Sequence, residues 1–559
     1  MKNRITVLLC VMCLLAVVLA GCGGGGNTTG NGDDTTASSG PKVITIGIPQ
    51  SMLVTDYDTN AYTLWLEEVS GYDIRFVKYA SSSSDYKKQL STETATDQKL
   101  PDILWRFSLS DDEIRRYGQD GYFVDLAPYF EDKEKSANWW RMTEKYLSET
   151  ERERAWLLIH DEYRSNLDNT GEVSGPIYAY PSVETTLIDT MDFMPMINKQ
   201  WLDALKLQAP TNLEELKTVL IAFRDDDPNG NGIPDEKPML GCTSAYGSAL
   251  VEWIINFYVF HNDEHYFNVG ADGKLYASQT TDAYREALKY IRSLVAENLL
   301  HVKALSYTAT ELRNVLQNTD TVGVTVCHPS LSFTEDSKAF LNWEALDLYG
   351  RAYRNTNAFA KNVFITDSCA DPDAAWDLLM HMCTEESGYR LRYGEPGVHW
   401  DYADEGSTSF MGIPAAIKVY SDIWNTINNS SWMALAGGVY PYSENEQNQV
   451  TGQETDFLKH KYEVYQDLVA NFEEAAAATN KAEECPLLRF NEEEDDIAKT
   501  RSDAKKTVTT WRAHFINGTK DINNEADWAE YLDALDKAGL DDYLAASQIC
   551  YDRMYKSGT

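Results

Sequence analysis

The 559-residue sequence predicts a mixed α/β protein of two lobes, with the chain passing between them more than once and a helix-rich C-terminal part. Three observations carry this prediction. Short β-branched runs alternate with helix-patterned stretches from Val43 onward, the signature of right-handed βαβ units on a mostly parallel sheet. A second alternation starts at Met191, and an apolar run, Asn362-Val363-Phe364-Ile365, suggests a return to the first lobe. Beyond Pro372 helical spacing dominates. A hydrophobic content of 43% with 12% aromatics excludes disorder as the main state.

Taken in order, the chain opens with a positive pair, Lys2 and Arg4, and an apolar stretch, Ile5 to Leu19. This is a signal-peptide pattern, too short for a comfortable membrane span. It ends in Leu19-Ala20-Gly21-Cys22, which resembles the bacterial lipobox. Residues 1–21 are therefore expected to be removed and Cys22 to carry the lipid (diacylglycerol and palmitate), tethering the protein outside the cytoplasmic membrane. Residues 22–41 are a Gly/Ser/Thr linker with nothing to pack. No later stretch is long and apolar enough to span a membrane.

The body begins with a strand at Val43–Ile48, then a helix around Asn60–Ser70, a strand at Ile74–Tyr79 and a helix near Asp85–Thr96. A short strand at Asp102–Trp105 and a helix from Asp111 follow. The second region reads as strand Met191–Asn198, helix Leu213–Arg224, a strand near Met239 and a strand Thr321–Val326. Helices are expected at Asp373–Tyr393, Asp456–Thr479, Ala498–Phe515, Asp527–Ala538 and Asp541–Tyr555. This divides the body into residues 42–180 plus about 321–395 as lobe 1, and 181–320 plus about 396–559 as lobe 2.

Asp and Glu outnumber Lys and Arg by 87 to 49, a formal charge of −38. Such a balance offers no basic excess to release counterions from a nucleic acid, or to hold an anionic membrane through a polybasic patch. Thirty-three Tyr and 14 Trp exceed what a core needs and suit surfaces that are at once apolar and hydrogen-bonding. Once the leader and Cys22 are set aside, six cysteines remain (Cys242, Cys327, Cys369, Cys383, Cys485 and Cys550), none in C-x-x-C spacing. Zinc-ribbon and thioredoxin readings have no support, and buried thiols are expected.

Several ordered stretches carry a family resemblance. They include Asn60-Ala61-Tyr62-Thr63-Leu64-Trp65, Leu100-Pro101-Asp102-Ile103, Gly121-Tyr122-Phe123-Val124-Asp125-Leu126 and Ile177-Tyr178-Ala179-Tyr180-Pro181. Further on come Asn198-Lys199-Gln200-Trp201-Leu202-Asp203, Asp227-Pro228-Asn229-Gly230-Asn231-Gly232, Gly394-Glu395-Pro396-Gly397-Val398-His399-Trp400 and Phe515-Ile516-Asn517-Gly518. Together they resemble the extracellular solute-binding proteins of bacterial carbohydrate ABC importers, in particular the long alginate- and aldouronate-type subfamily. The resemblance implies a type II periplasmic-binding-protein-like fold: two lobes on hinge crossovers, closing on an oligosaccharide and delivering it to a permease. It implies a monomeric binding protein, not an enzyme.

Within the second region, counting from Asp227 places oxygen side chains at positions 1, 3, 5 and 9 (Asp227, Asn229, Asn231, Asp235), with Gly232 at 6. This is the start of an EF-hand loop, in which Ile233 at 7 would offer its carbonyl. Position 12 is Pro238, so the loop is not a full EF-hand. The resemblance implies a variant in which Asp235 and Glu236 complete the shell. Hard oxygen donors favour Ca²⁺ over zinc, in a structural role.

Sugar recognition needs aromatic faces for C–H surfaces and paired donors or acceptors for hydroxyls. Residues at strand ends and loop starts are the candidates: Tyr57 after the first strand, Arg106 after the Pro101–Trp105 strand, and Tyr180 and Glu184 at a crossover. Trp253, Trp400 and Trp432 complete the set. Trp65, Trp201, Trp376 and Trp528 have helical apolar spacing and read as core. Among catalytic alternatives, His261-Asn262-Asp263-Glu264-His265 matches an inverted zinc-peptidase pattern, but Asn262 and Asp263 break the helix it requires. No nucleophile elbow or phosphate-binding loop is present. An enzyme acting on glycans and a peptide or lipid receptor stay open as rivals. The acidic run Glu492–Asp496 reads as a solvated approach to a helix.

Overall fold

Two separate sheets organise the body. The first has six strands in the order Val439–Tyr440, Tyr180–Glu184, Phe359–Ile365, Ile103–Trp105, Val43–Pro49 and Asp73–Tyr79. Val43–Pro49 runs parallel to both its neighbours, whereas Phe359–Ile365 enters antiparallel between Ile103–Trp105 and Tyr180–Glu184. The second sheet has the order Trp343–Ala345, Pro195–Asn198, Val322–Val326 and Lys237–Met239. The computed structural model describes residues 41–556, apart from 161–174, 185–190, 244–247, 263–265, 353–358, 441–455 and shorter stretches.

Each sheet has its own large core. Ile44, Ile46, Ile103, Tyr62, Trp139 and Trp376 belong to the first, and Met196, Ile197, Trp201, Phe223, Trp253 and Val324 to the second. The C-terminal helices Asp456–Ala478, Arg501–Asn517, Glu525–Lys537 and Leu540–Tyr555 pack into the second core through Phe457, Leu468, Phe515, Tyr531 and Tyr543. The two sheets thus anchor two lobes. Among the described residues the chain passes from one sheet's lobe to the other between residues 184 and 195, 345 and 359, and 440 and 456.

Two of the expected lobe boundaries are corrected. Residues 321–345, expected in lobe 1, belong to lobe 2: Val322–Val326 lies between Pro195–Asn198 and Lys237–Met239, where its ladder is satisfied on both sides. The described residues of 396–440, expected in lobe 2, belong to lobe 1. Trp432 is in the first core, Asn428 N and O bond to Leu53 and Thr55, and Val439–Tyr440 pairs with Tyr180–Glu184. The expected helix 373–393 is two helices, Pro372–Met382 and Glu385–Tyr393. Thr384 breaks it, because its side chain caps the second helix by accepting from Ser387 N.

Local signals set the element ends that matter for the site. Asn60 caps helix Ala61–Ser70 by accepting from Tyr62 N, and Gly71 ends it at φ 75°. Ser110 and Glu113 form a reciprocal capping box on helix Asp111–Gln119. Gly323 lets helix Leu213–Asp225 lie close on the second sheet, since an added Cβ would fall 2.3 Å from the Phe223 ring. All six body cysteines are buried. Among the described residues no helix is long and apolar enough to cross a membrane. Cys22, the leader and the linker lie outside the described residues.

Candidate functional site

Ligands of open α/β sheets bind beyond the carboxyl ends of the parallel strands. In the first lobe that edge is reached by Pro49 and Trp105, and Arg106 follows directly. Arg106 has φ 65°, a left-handed backbone that a non-glycine residue adopts at a cost of ~1–3 kcal/mol. Its side chain is exposed and makes no ion pair among the described residues. The next residue, Phe107, donates its N–H to the Asn362 carbonyl at 2.8 Å. The ladder of Phe359–Ile365 shifts register between Lys361 and Val363, so Asn362 occupies a bulge. Its Oδ1 accepts from Ser182 Oγ at 2.9 Å. Bulges of this kind re-aim a side chain beside functional sites.

Tyr57 sits under the same edge. Burial pushes its hydroxyl pKa up, against the opposing pulls of the Ser51 N–H, which donates to Tyr57 Oη at 3.1 Å, and of the Arg106 charge. Trp432 joins it in one aromatic cluster, set edge-on to Tyr62, Phe76 and Trp105 with centroids 4.8–5.2 Å away. The Trp432 Nε1–H donates to Thr63 Oγ1 at 2.8 Å. The fold therefore brings Tyr57, Arg106 and Trp432 together, but with different duties: the two rings are buried and form the support on which Arg106 stands.

The remaining aromatic expectations are corrected for the same reason, since a ring with no exposed face cannot stack on a sugar. Trp253 is wholly buried in the second core, its indole N–H held by the Leu348 carbonyl at 2.8 Å. Trp400 is wholly buried against Tyr389 and donates to the Gly394 carbonyl at 2.8 Å. Tyr180 is buried between Phe130 and Trp376. Glu184 ends strand Tyr180–Glu184, and its side chain lies outside the described residues. Asn362 and Ser182 were not singled out from the sequence. The available signal was the polar pair Lys361-Asn362 leading into the apolar run Val363-Phe364-Ile365.

The acidic loop follows helix Leu213–Asp225 and leads into Lys237–Met239. Asp227 (φ 46°) accepts from Asn231 N at 3.1 Å and Gly232 N at 3.0 Å. Asn229 Oδ1 and Asn231 Oδ1 accept from Asn231 N and Ile233 N, and both amide nitrogens face Asp235 Oδ1, at 3.4 and 3.1 Å. The Ile233 carbonyl accepts from Asp235 N, and its side chain is exposed. Glu236 has a buried Oε1 with no partner, and its pKa is raised by burial first and then by Asp235 and Asp227. A buried carboxylate oxygen without a partner, under the influence of the Asp235 and Asp227 charges, is a group that a hard cation would relieve. Among the described residues no three His, Cys, Asp or Glu groups form a cluster able to hold an ion. Any shell here would have to recruit the amide and carbonyl oxygens as well.

The peptidase alternative fails on what is described of it. His261 is wholly buried, its ring tilted against Tyr284 and its Nδ1 2.9 Å from Ser278 Oγ, and it is not helical; Asp263–His265 lie outside the described residues. The solvated reading of Glu492–Asp496 is also corrected in part. Glu494 is buried and binds Arg553 through both oxygens, at 2.9 and 2.8 Å.

No family model matches the chain. A fructooligosaccharide ABC transporter substrate-binding protein, FusA of Streptococcus pneumoniae, is 23% identical over 513 residues, spanning 87% of this chain and 86% of its own. The structure of FusA with kestose aligns over 93% of this chain and all of that one, at TM-score 0.67 and 21% identity. A Bifidobacterium longum infantis solute-binding protein, described as HMO-binding and ABC-transporter-associated, aligns over 92% and 99% at TM-score 0.69 and 19% identity. The chain has the fold of the two-lobed ABC-importer solute-binding proteins. The resemblance drawn from its sequence motifs stands, and these relatives are all named as binding proteins.

Proposed function

We propose that this chain is the non-enzymatic, lipid-anchored receptor of a carbohydrate ABC importer. It captures an oligosaccharide between its lobes as a monomer and presents the closed form to the permease. The observation that carries this reading is the edge built by Arg106, Asn362 and Ser182 at the strand ends of the first lobe, in a fold shared end to end with sugar-binding relatives. Ligand contacts made by both lobes only when shut shift the hinge equilibrium by their differential free energy. Cys22 supplies the anchor, and the linker holds the body off an extracytoplasmic membrane face. The loop Asp227–Glu236 takes a structural Ca²⁺; a FusA structure is described as that of an EF-hand mutant, so a loop of that name exists in a relative. Calorimetry with an oligosaccharide panel, followed by product analysis, tests the reading. Heat without turnover supports it; turnover would favour a glycan-acting enzyme, and silence with every glycan a peptide or lipid receptor.

A further inference from the structure

A polar cavity lies at the end of lobe 2 away from the crossings. The chain enters that lobe at Pro195 and leaves it after Ala345, at one edge of the second sheet. Asn198, Val322 and Trp343 mark the opposite edge, and between them and helix Ala309–Asn318 is a cavity of about 220 Å³. Pockets for drug-sized ligands run ~300–1,000 Å³, so this one suits a smaller guest.

Its chemistry is specific. Gln317 lines the cavity with a buried Nε2 that has no hydrogen-bond partner. A buried donor left unsatisfied costs ~1–3 kcal/mol, which an acceptor in the cavity recovers. Asp320 is fixed by Trp201 Nε1 at 3.0 Å and Asn198 Nδ2 at 3.2 Å, both on one carboxylate oxygen, and it retains acceptor capacity for hydroxyl donors. Asn318 and Asn342 add amides that both donate and accept, and Trp343 closes the apolar floor. Among the described residues no Lys or Arg lines the cavity, so an anionic guest would meet Asp320 with no counter-charge from them. A purely apolar guest would leave the amides unpaired. A small neutral polyol meets both demands at once, offering an oxygen acceptor to Gln317 and hydroxyl donors to Asp320.

We infer that this cavity is a second glycan site, holding one neutral sugar ring independently of the inter-lobe cleft. Saturation-transfer NMR on the mature chain with methyl glucosides, galactosides, mannosides and fructosides tests it. At least one glycoside is expected to show transfer, unchanged in Arg106→Gln and at least tenfold weaker in both Ala339→Phe, which fills the cavity from a half-buried position, and Gln317→Leu. Melting temperatures identify any variant that fails to fold, in which case the other decides. Absence of transfer from every glycoside overturns the inference. So does transfer that survives both cavity variants, or transfer lost in Arg106→Gln, which would place the ring in the cleft. Oligosaccharide calorimetry of Ala339→Phe keeps the two sites distinct, because it reads the cleft alone.

Discussion

Asp112 of lobe 1 and Arg501 of lobe 2 form an ion pair at 3.3 Å, although 389 residues separate them in the chain. Asp112 lies in the first turn of helix Asp111–Gln119, and Arg501 opens helix Arg501–Asn517 while covering the Phe490 ring. The pair ties together the two bodies whose relative motion the proposed function requires. Exposed pairs of this kind contribute ~0–1 kcal/mol, enough to bias a hinge without locking it. Arg501→Ala is expected to weaken oligosaccharide binding by up to about fivefold, an effect that shrinks with added salt, and to enlarge the unliganded radius of gyration in solution scattering. Unchanged scattering and affinity would remove the pair from the hinge equilibrium.

The strained backbone of Arg106 sets stability against binding. Arg106→Gly should relieve the left-handed conformation and stabilise the fold by ~1 kcal/mol, while oligosaccharide affinity falls at least tenfold. Calorimetric unfolding and titration of the same preparation check both halves. A variant that loses stability together with affinity would contradict the role given to this φ angle.

The acidic loop predicts opposite pH trends with and without calcium. Glu236 has a raised folded pKa, so between the ordinary value near 4.5 and that raised value the folded state holds more protons than the unfolded one. Stability in chelator therefore falls as pH rises through this window. Bound Ca²⁺ favours the ionised carboxyl and reverses the slope. Glu236→Gln should flatten the chelator profile, and Asp227→Ala should abolish the EDTA-sensitive part of the melting temperature. Identical wild-type melting with calcium and with chelator at every pH would leave the loop without an ion.

The buried tryptophans predict a pure stability phenotype. Trp253→Ala removes a wholly buried ring and leaves the Leu348 carbonyl without its donor, at an expected cost of ~3–5 kcal/mol. The folded fraction should bind oligosaccharide with wild-type affinity. A Trp253 variant of normal stability and lost affinity would restore the ring to the cleft.

What the sequence determined by itself were features held within a few neighbouring residues. The alternation of β-branched runs and helices and the spacing of oxygens from Asp227 to Glu236 are both of this local kind. The place of Arg106 directly after a strand was also local, read from the run Pro101–Trp105. Only the tertiary structure decided which lobe owned residues 321–345 and 396–440, since strand partnership is a contact between distant segments that periodicity does not encode. It also decided the fate of the aromatics. Tyr57, Tyr180, Trp253, Trp400 and Trp432 have the composition of a sugar platform, but Tyr180, Trp253 and Trp432 are taken up by partners far away in the chain, and Trp400 by the neighbouring Tyr389, Ile417 and Val419. The polar edge of Arg106, Asn362 and Ser182 exists because an antiparallel strand with a bulge was inserted between two others, a register no single segment specifies.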